Sequence, residues 1–226
     1  MSLPEVRVGL IDSGVAGIAA NRVAASRSFR GGPEGHCLAG AAQKDRLGHG
    51  TALAGILLAA SPASVLLNAQ VFTDKLSCSA QQVAAALAWL VDEGVQLVNM
   101  SFGLREYRTG LRAACDLALE AGVVLVAAAP ARGEPVFPAG FPGVIRATGD
   151  ARCSESQISC LATTQADFGG HVRAGDQRVA GASVGCANVS ARAIQHLATT
   201  PGVSAGRLRQ WLATQASYQG PERRVS

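Results

Sequence analysis

The chain has 226 residues, of which 48% are hydrophobic and only 16% charged, enough apolar material for a packed core and too much for a disordered segment. Its net charge of +4 comes from scattered side chains, with no basic run interleaved with aromatics, which argues against nucleic acid as a partner. No run is apolar and long enough to span a membrane, and no basic segment, apolar stretch and small-residue cleavage site open the chain, so a cytoplasmic location is expected.

In chain order, residues 6–11 read as a buried strand ending at Asp12. The glycine-rich stretch 28–48 reads as loop, and 51–60 as an apolar helix. A strand follows over 64–72. The next helix covers 79–93, with Ser79 as N-cap and Gly94 as its stop. Residues 95–100 form a strand, 108–121 a helix stopped at Gly122, and 123–128 and 144–148 two further strands. Helices over 183–199 and 205–215 are separated by Pro201-Gly202, and a flexible tail runs from about residue 216. This alternation predicts βαβ units in a mostly parallel sheet, within a single domain spanning 1–226. Six cysteines (Cys37, Cys78, Cys115, Cys153, Cys160, Cys186) lack metal-ligand spacing and read as free thiols, although Cys153 and Cys160 are near enough in sequence to pair.

Three glycine-flanked stretches carry chemistry: Gly9-Leu10-Ile11-Asp12-Ser13-Gly14, Gly48-His49-Gly50-Thr51 and Gly181-Ala182-Ser183-Val184-Gly185. In a parallel sheet, strand ends and the helix N-termini that follow converge on one edge, so distant residues there can meet. A serine hydroxyl needs a base to take its proton during attack. An imidazole serves, and a buried carboxylate holds its tautomer and stabilises the imidazolium. A helix N-terminus adds backbone N–H groups for the developing oxyanion. Taken singly, each residue has a blander reading. Asp12-Ser13-Gly14 is turn sequence, a lone His49 is more often structural, and Ser183 suits an N-cap. His36, His171 and His196 are read as structural. No G-x-G-x-x-G motif follows the first strand and no acidic cluster suits calcium, so neither a cofactor nor a metal is expected.

In this order the motifs resemble the subtilisin (subtilase) family of serine proteases. Leu97-Val98-Asn99-Met100-Ser101-Phe102-Gly103 is similar to the family's cleft strand, and the stretch 123–129 to the strand leading to its oxyanion hole. The resemblance implies an α/β, three-layer subtilisin-like fold with a mostly parallel central sheet flanked by helices. It also implies roles. Asp12 orients His49, His49 is general base and acid, and Ser183 is the nucleophile. Ser101, Phe102 and Gly103 pair with an extended peptide as an added strand. Ala127, Ala128 and Ala129 form the other wall of the pocket for the residue before the cut.

The chain departs from the family at the oxyanion hole. There the family has an Asn after Ala-Ala-Ala-Gly, and here Pro130 stands for the Gly and Ala131 for the Asn. In subtilisin that Asn is worth about 100- to 1000-fold in turnover. The Ser183 N–H remains, and Arg132 is a candidate second donor. Ala52 and Ala187 replace the family's usual His and Pro. With no pro-segment before the first strand, the chain resembles an intracellular processing member of narrow specificity. The expected partner is a peptide or protein substrate, such as a modified precursor carrying a leader peptide. In this it looks like the leader-removing proteases that act on the small cross-linked (gamma) subunit of quinohemoprotein amine dehydrogenases. The competing reading is a pseudoprotease that binds an extended peptide without cleaving it. The missing Asn favours that reading and the retained Asp, His and Ser oppose it.

Overall fold

The first apolar run forms β1 (Val6–Asp12), with alternate side chains sent to opposite faces. The computed structural model describes residues 4–175 and 178–222. After β1 come β2 (Val23–Gly31), β3 (Cys37–Ala41), α1 (His49–Ala59), β4 (Ser64–Gln70), α2 (Ala80–Asp92), β5 (Leu97–Met100) and α3 (Thr109–Glu120). They are followed by β6 (Val124–Ala128), β7 (Ile145–Gly149), β8 (Ile158–Cys160), β9 (Phe168–Gly170), α4 (Ala182–Thr199), α5 (Ala205–Gln215) and β10 (Tyr218–Gln219).

Among the described residues, ten strands join one sheet in the order β10-β8-β9-β7-β6-β5-β1-β4-β2-β3. Its pairings are parallel apart from β2 with β3 and β8 with β9. This is the subtilisin-like α/β architecture that the motifs imply. One face packs on α1, α4 and α5 through Val6, Val8, Leu10, Leu53, Leu57, Val184 and Leu208. The other packs on α2 and α3 through Ile11, Val98, Val83, Leu87 and Leu111. Leu53 and Leu57, one turn apart on α1, are fully buried, each worth about 1.5–3 kcal/mol.

Local signals account for several boundaries. Ser79 caps α2 with a capping box: its hydroxyl accepts from Gln82 N at 3.2 Å, and its own N–H donates to Gln82 Oε1 at 2.9 Å. The α5 bounds coincide with the expected 205–215. Most other edges shift by a residue or two, where fraying and cap geometry decide.

Two expectations need correction. Residues 28–48 are not all loop: they hold the second half of β2, a short 3-10 turn at Pro33–Gly35 and all of β3. This ribbon sits at the sheet edge with only Ser28 and Phe29 of β2 buried, so no period-2 apolar pattern marks it. The segment after residue 216 is likewise not all tail. Tyr218–Gln219 pairs with β8, and Arg152 clasps it, donating to the Gly220 carbonyl at 2.8 Å and lying over the Tyr218 ring at 5.0 Å. Residues 223–226 of that expected tail lie outside the described residues. All six cysteines are free thiols.

Candidate active site

β1, β5 and β6 end side by side, and α1 and α4 begin on the same edge of the sheet. Asp12 is the last residue of β1 and is fully buried. His49 opens α1 and its Nδ1–H donates to Asp12 Oδ1 at 2.7 Å; the carboxylate, which only accepts, sets that tautomer. The same oxygen accepts from Ser13 N at 2.7 Å, while Oδ2 is buried with no partner among the described residues. Among the described residues the imidazole is the one titratable group hydrogen-bonded to the Asp12 carboxylate.

Helix α1 is drawn close to β1. Gly50 N donates to Ser13 Oγ at 2.8 Å, and a Cβ at residue 50 would lie 2.3 Å from the Gly14 carbonyl oxygen, so only glycine fits. Sequence reasoning missed Asp45, which braces this helix start. Its Oδ1 accepts from Leu47 N at 3.0 Å and Gly48 N at 2.9 Å, and its Oδ2 from Thr51 N at 2.9 Å and Thr51 Oγ1 at 2.6 Å. An Asp just upstream of a helix start is the signal that could have found it. Burial pulls the His49 pKa down, but the Asp12 hydrogen bond and charge, with the charge of Asp45, leave it above the ordinary value.

Ser183 is the second residue of α4, half-buried. Its hydroxyl donates to the Ser101 carbonyl at 2.9 Å, and the Ser101 hydroxyl donates to the Ser183 carbonyl at 3.0 Å. Among the described residues Ser183 makes no hydrogen bond to His49. The two nonetheless open neighbouring helices, since α1 packs beside α4, and the Asp12 charge is felt at Cys186. Burial, with that charge adding to it, pushes the Cys186 thiol up to about 12, so it is no nucleophile.

Regular pairing of β5 stops at Met100–Ala127 and resumes only where Leu104 and Phe137 exchange backbone hydrogen bonds of 2.7 and 2.8 Å. Phe102 and Gly103 lie between, with the Phe102 ring edge-on to Phe72 at 5.5 Å. Ala127, Ala128 and Ala129 are all buried and contribute backbone rather than exposed side chains to this edge. Ala131 and Arg132 are exposed and line a cavity of 310 Å³ with Thr148, Gly149, Asp150 and Glu222; Ser183 is not in its lining. Arg132 makes no hydrogen bond or ion pair among the described residues. Of the other histidines, His171 Nδ1 bonds the Cys153 carbonyl at 2.8 Å and His196 stacks on Trp211 at 4.1 Å. Among the described residues no three His, Cys, Asp or Glu converge as metal ligands.

The fold matches solved structures closely. An S41 psychrophilic protease superposes with a TM-score of 0.69 at 18% identity, covering 95% of this chain and 84% of that one. A cold-adapted subtilisin-like serine proteinase gives 0.70 at 19%, covering 95% and 85%. In sequence, the chain is 30% identical over 151 residues to the thermostable alkaline protease of Halalkalibacterium halodurans, 62% of this chain and 40% of that protein. It is 35% identical over 133 residues to fervidolysin of Fervidobacterium pennivorans, 54% and 18%. It is 30% identical over 134 residues to subtilisin DY of Bacillus licheniformis, 55% and 46%. The matches thus span under half the length of these relatives. The profile of the Subtilase family, peptidase family S8, matches residues 4–225. With that match across nearly its whole length, and with a subtilisin-like sheet beneath the Asp12–His49 pair, the chain belongs to the subtilase family, whose members are serine endopeptidases.

Proposed function

We propose that this protein is a serine endopeptidase working through an acyl-enzyme, with Asp12 orienting His49, His49 as general base and acid, and Ser183 as nucleophile. The observation that carries the reading is the 2.7 Å hydrogen bond from His49 Nδ1 to a buried carboxylate, which leaves Nε2 as the basic nitrogen of the ring. An extended substrate lies along Phe102 and Gly103, where regular pairing is interrupted. The Ser183 hydroxyl turns from the Ser101 carbonyl to Nε2, gives it the proton, and attacks the scissile carbonyl. Asp12 stabilises the imidazolium, and the Ser183 N–H at the start of α4 takes one lone pair of the oxyanion. His49 then protonates the departing amine, and water, deprotonated by the same imidazole, releases the acyl group.

Ala131 offers no side-chain donor, so the oxyanion site is half-built from this chain; Arg132, exposed and without a partner among the described residues, is the candidate second donor. A slow enzyme suits narrow processing better than digestion. The proposed substrate is a precursor from which a leader peptide is removed, such as the small cross-linked subunit of a quinohemoprotein amine dehydrogenase. The proposed compartment is the cytoplasm, supported by six unpaired thiols. A second reading, a pseudoprotease that holds a peptide uncut, is favoured by Ala131 alone.

Labelling with a fluorophosphonate probe separates the two. Wild-type protein should label, Ser183→Ala should not, and His49→Ala should label at least about a thousandfold more slowly. Folded wild-type protein that stays unlabelled would favour the peptide-binding reading.

A further inference from the structure

Asn99 is polar, yet it is fully buried on β5, one residue before the strand ends. Its Nδ2 donates to Ser101 Oγ at 2.9 Å, and its Oδ1 accepts from Ser190 Oγ at 2.9 Å and from Cys186 Sγ at 3.5 Å. Ser190 and Cys186 are also fully buried, and Ser101 is 3% exposed. The proton order in this relay is determined by its far end. The Ser183 carbonyl can only accept, so the Ser101 hydroxyl must donate to it. That hydroxyl is then an acceptor toward Asn99, which must present its NH₂ group there. The Asn99 oxygen consequently faces Ser190 and Cys186, both able to donate. A flipped Asn99 amide would demand the Ser101 proton for itself and free the Ser183 carbonyl.

We propose that Asn99, backed by Ser190, is a positioning residue for the nucleophile: it holds the Ser101 hydroxyl in its donating orientation, and so pins the first turn of α4 to the carboxyl end of β5. The inference rests on the hydrolase reading above. Ser190 and Cys186 belong to α4 itself, so the relay grips the helix at Cys186, at Ser190 and at the carbonyl of Ser183. Three attachments, two to Asn99 on β5 and one to Ser101 just past its end, fix both the translation and the tilt of the helix that carries the nucleophile. A displacement of about 1 Å at a reacting group costs on the order of 100-fold in rate.

The test is steady-state kinetics on a peptide that the wild type cleaves, with fluorophosphonate labelling rates alongside. Asn99→Ala and Ser101→Ala should each lower kcat by about tenfold to 100-fold, with KM held within about twofold. Ser190→Ala should lower kcat by less. The double variant Asn99→Ala/Ser101→Ala should lose no more than its worse single, because the relay is already broken. Should Asn99→Ala fail to fold, Ser101→Ala and Ser190→Ala, which each remove one oxygen, carry the test. Losses that multiply in the double variant, a rise in KM at unchanged kcat, or folded single variants that label at the wild-type rate would overturn the proposal. A wild type that neither labels nor cleaves would instead bring down the hydrolase reading on which it stands.

Discussion

Ser101 and Ser183 are joined twice, each hydroxyl donating to the other's carbonyl, at 3.0 and 2.9 Å. The pair links the residue just past the end of β5 to the second residue of α4. In the proposed mechanism one of its two bonds must break in each catalytic cycle, because the Ser183 proton has to reach His49. A neutral hydrogen bond is worth about 0.5–1.5 kcal/mol net, so this resting arrangement slows attack by roughly two- to 13-fold. A substrate N–H that takes over the Ser101 carbonyl removes even that.

The His49 imidazole should give the enzyme an acid limb at higher pH than an ordinary histidine would. Burial acts downward on its pKa, and the Asp12 hydrogen bond and charge, with the Asp45 charge, overcome it. The neutral ring is the active base, so activity falls as pH drops through this raised value, above about 6.5. Asp12→Asn removes both Asp12 contributions, moving the limb down while kcat falls about ten-thousand-fold as the tautomer is lost. Asp45→Ala moves the limb the same way by less. Stability runs in the matching sense: a raised histidine pKa contributes stability below about pH 6.5 that disappears as pH rises through the folded value. Profiles of kcat/KM against pH, with thermal melts at about pH 5 and about pH 8, check both statements. A limb that stays put in Asp12→Asn counts against them.

The oxyanion site should be repairable. On the proposed alignment, Pro130→Gly with Ala131→Asn supplies the kind of side-chain donor that subtilisin carries at its oxyanion hole. The expected gain in kcat on a fixed peptide is about tenfold or more, bounded by the 100- to 1000-fold that this donor is worth in subtilisin. No gain in a folded double variant would mean that a donor from elsewhere, such as Arg132, already fills the position.

Gly185 should tolerate no side chain. A Cβ there would sit 2.1 Å from the Thr148 carbonyl oxygen of β7, which is backbone and cannot step aside. Gly185→Ala is expected to destabilise by about 1–3 kcal/mol, read as a lower urea midpoint at unchanged slope. Because α4 must shift to relieve the clash, kcat should fall even where the variant remains folded.

Much of this arrangement was legible in the residues themselves. A carboxylate at the end of an apolar strand and a histidine opening an apolar helix announce a meeting at one sheet edge, and Asp12 lies 2.7 Å from His49. Ser79 and its partner Gln82 announced the start of α2 in the same way. What stayed hidden had no periodic signature. β9 is Phe168-Gly169-Gly170, and β10 is two residues long; both become strands only because a neighbour offers hydrogen bonds. Asn99 looked like an ordinary member of a strand, since its importance lies in contacts with Ser101, Cys186 and Ser190, which pattern along the chain does not reveal.

The sheet order places β1 in the interior, with β4 and β5 on either side, and Ser183 arrives only with α4, after nine of the ten described strands. Parallel neighbours cannot close as local hairpins; each waits for a crossover to return. On the proposed roles, a chain emerging from the ribosome therefore carries its base and carboxylate long before its nucleophile. On that reading the growing polypeptide cannot cut itself or its surroundings during synthesis, and competence comes only with α4.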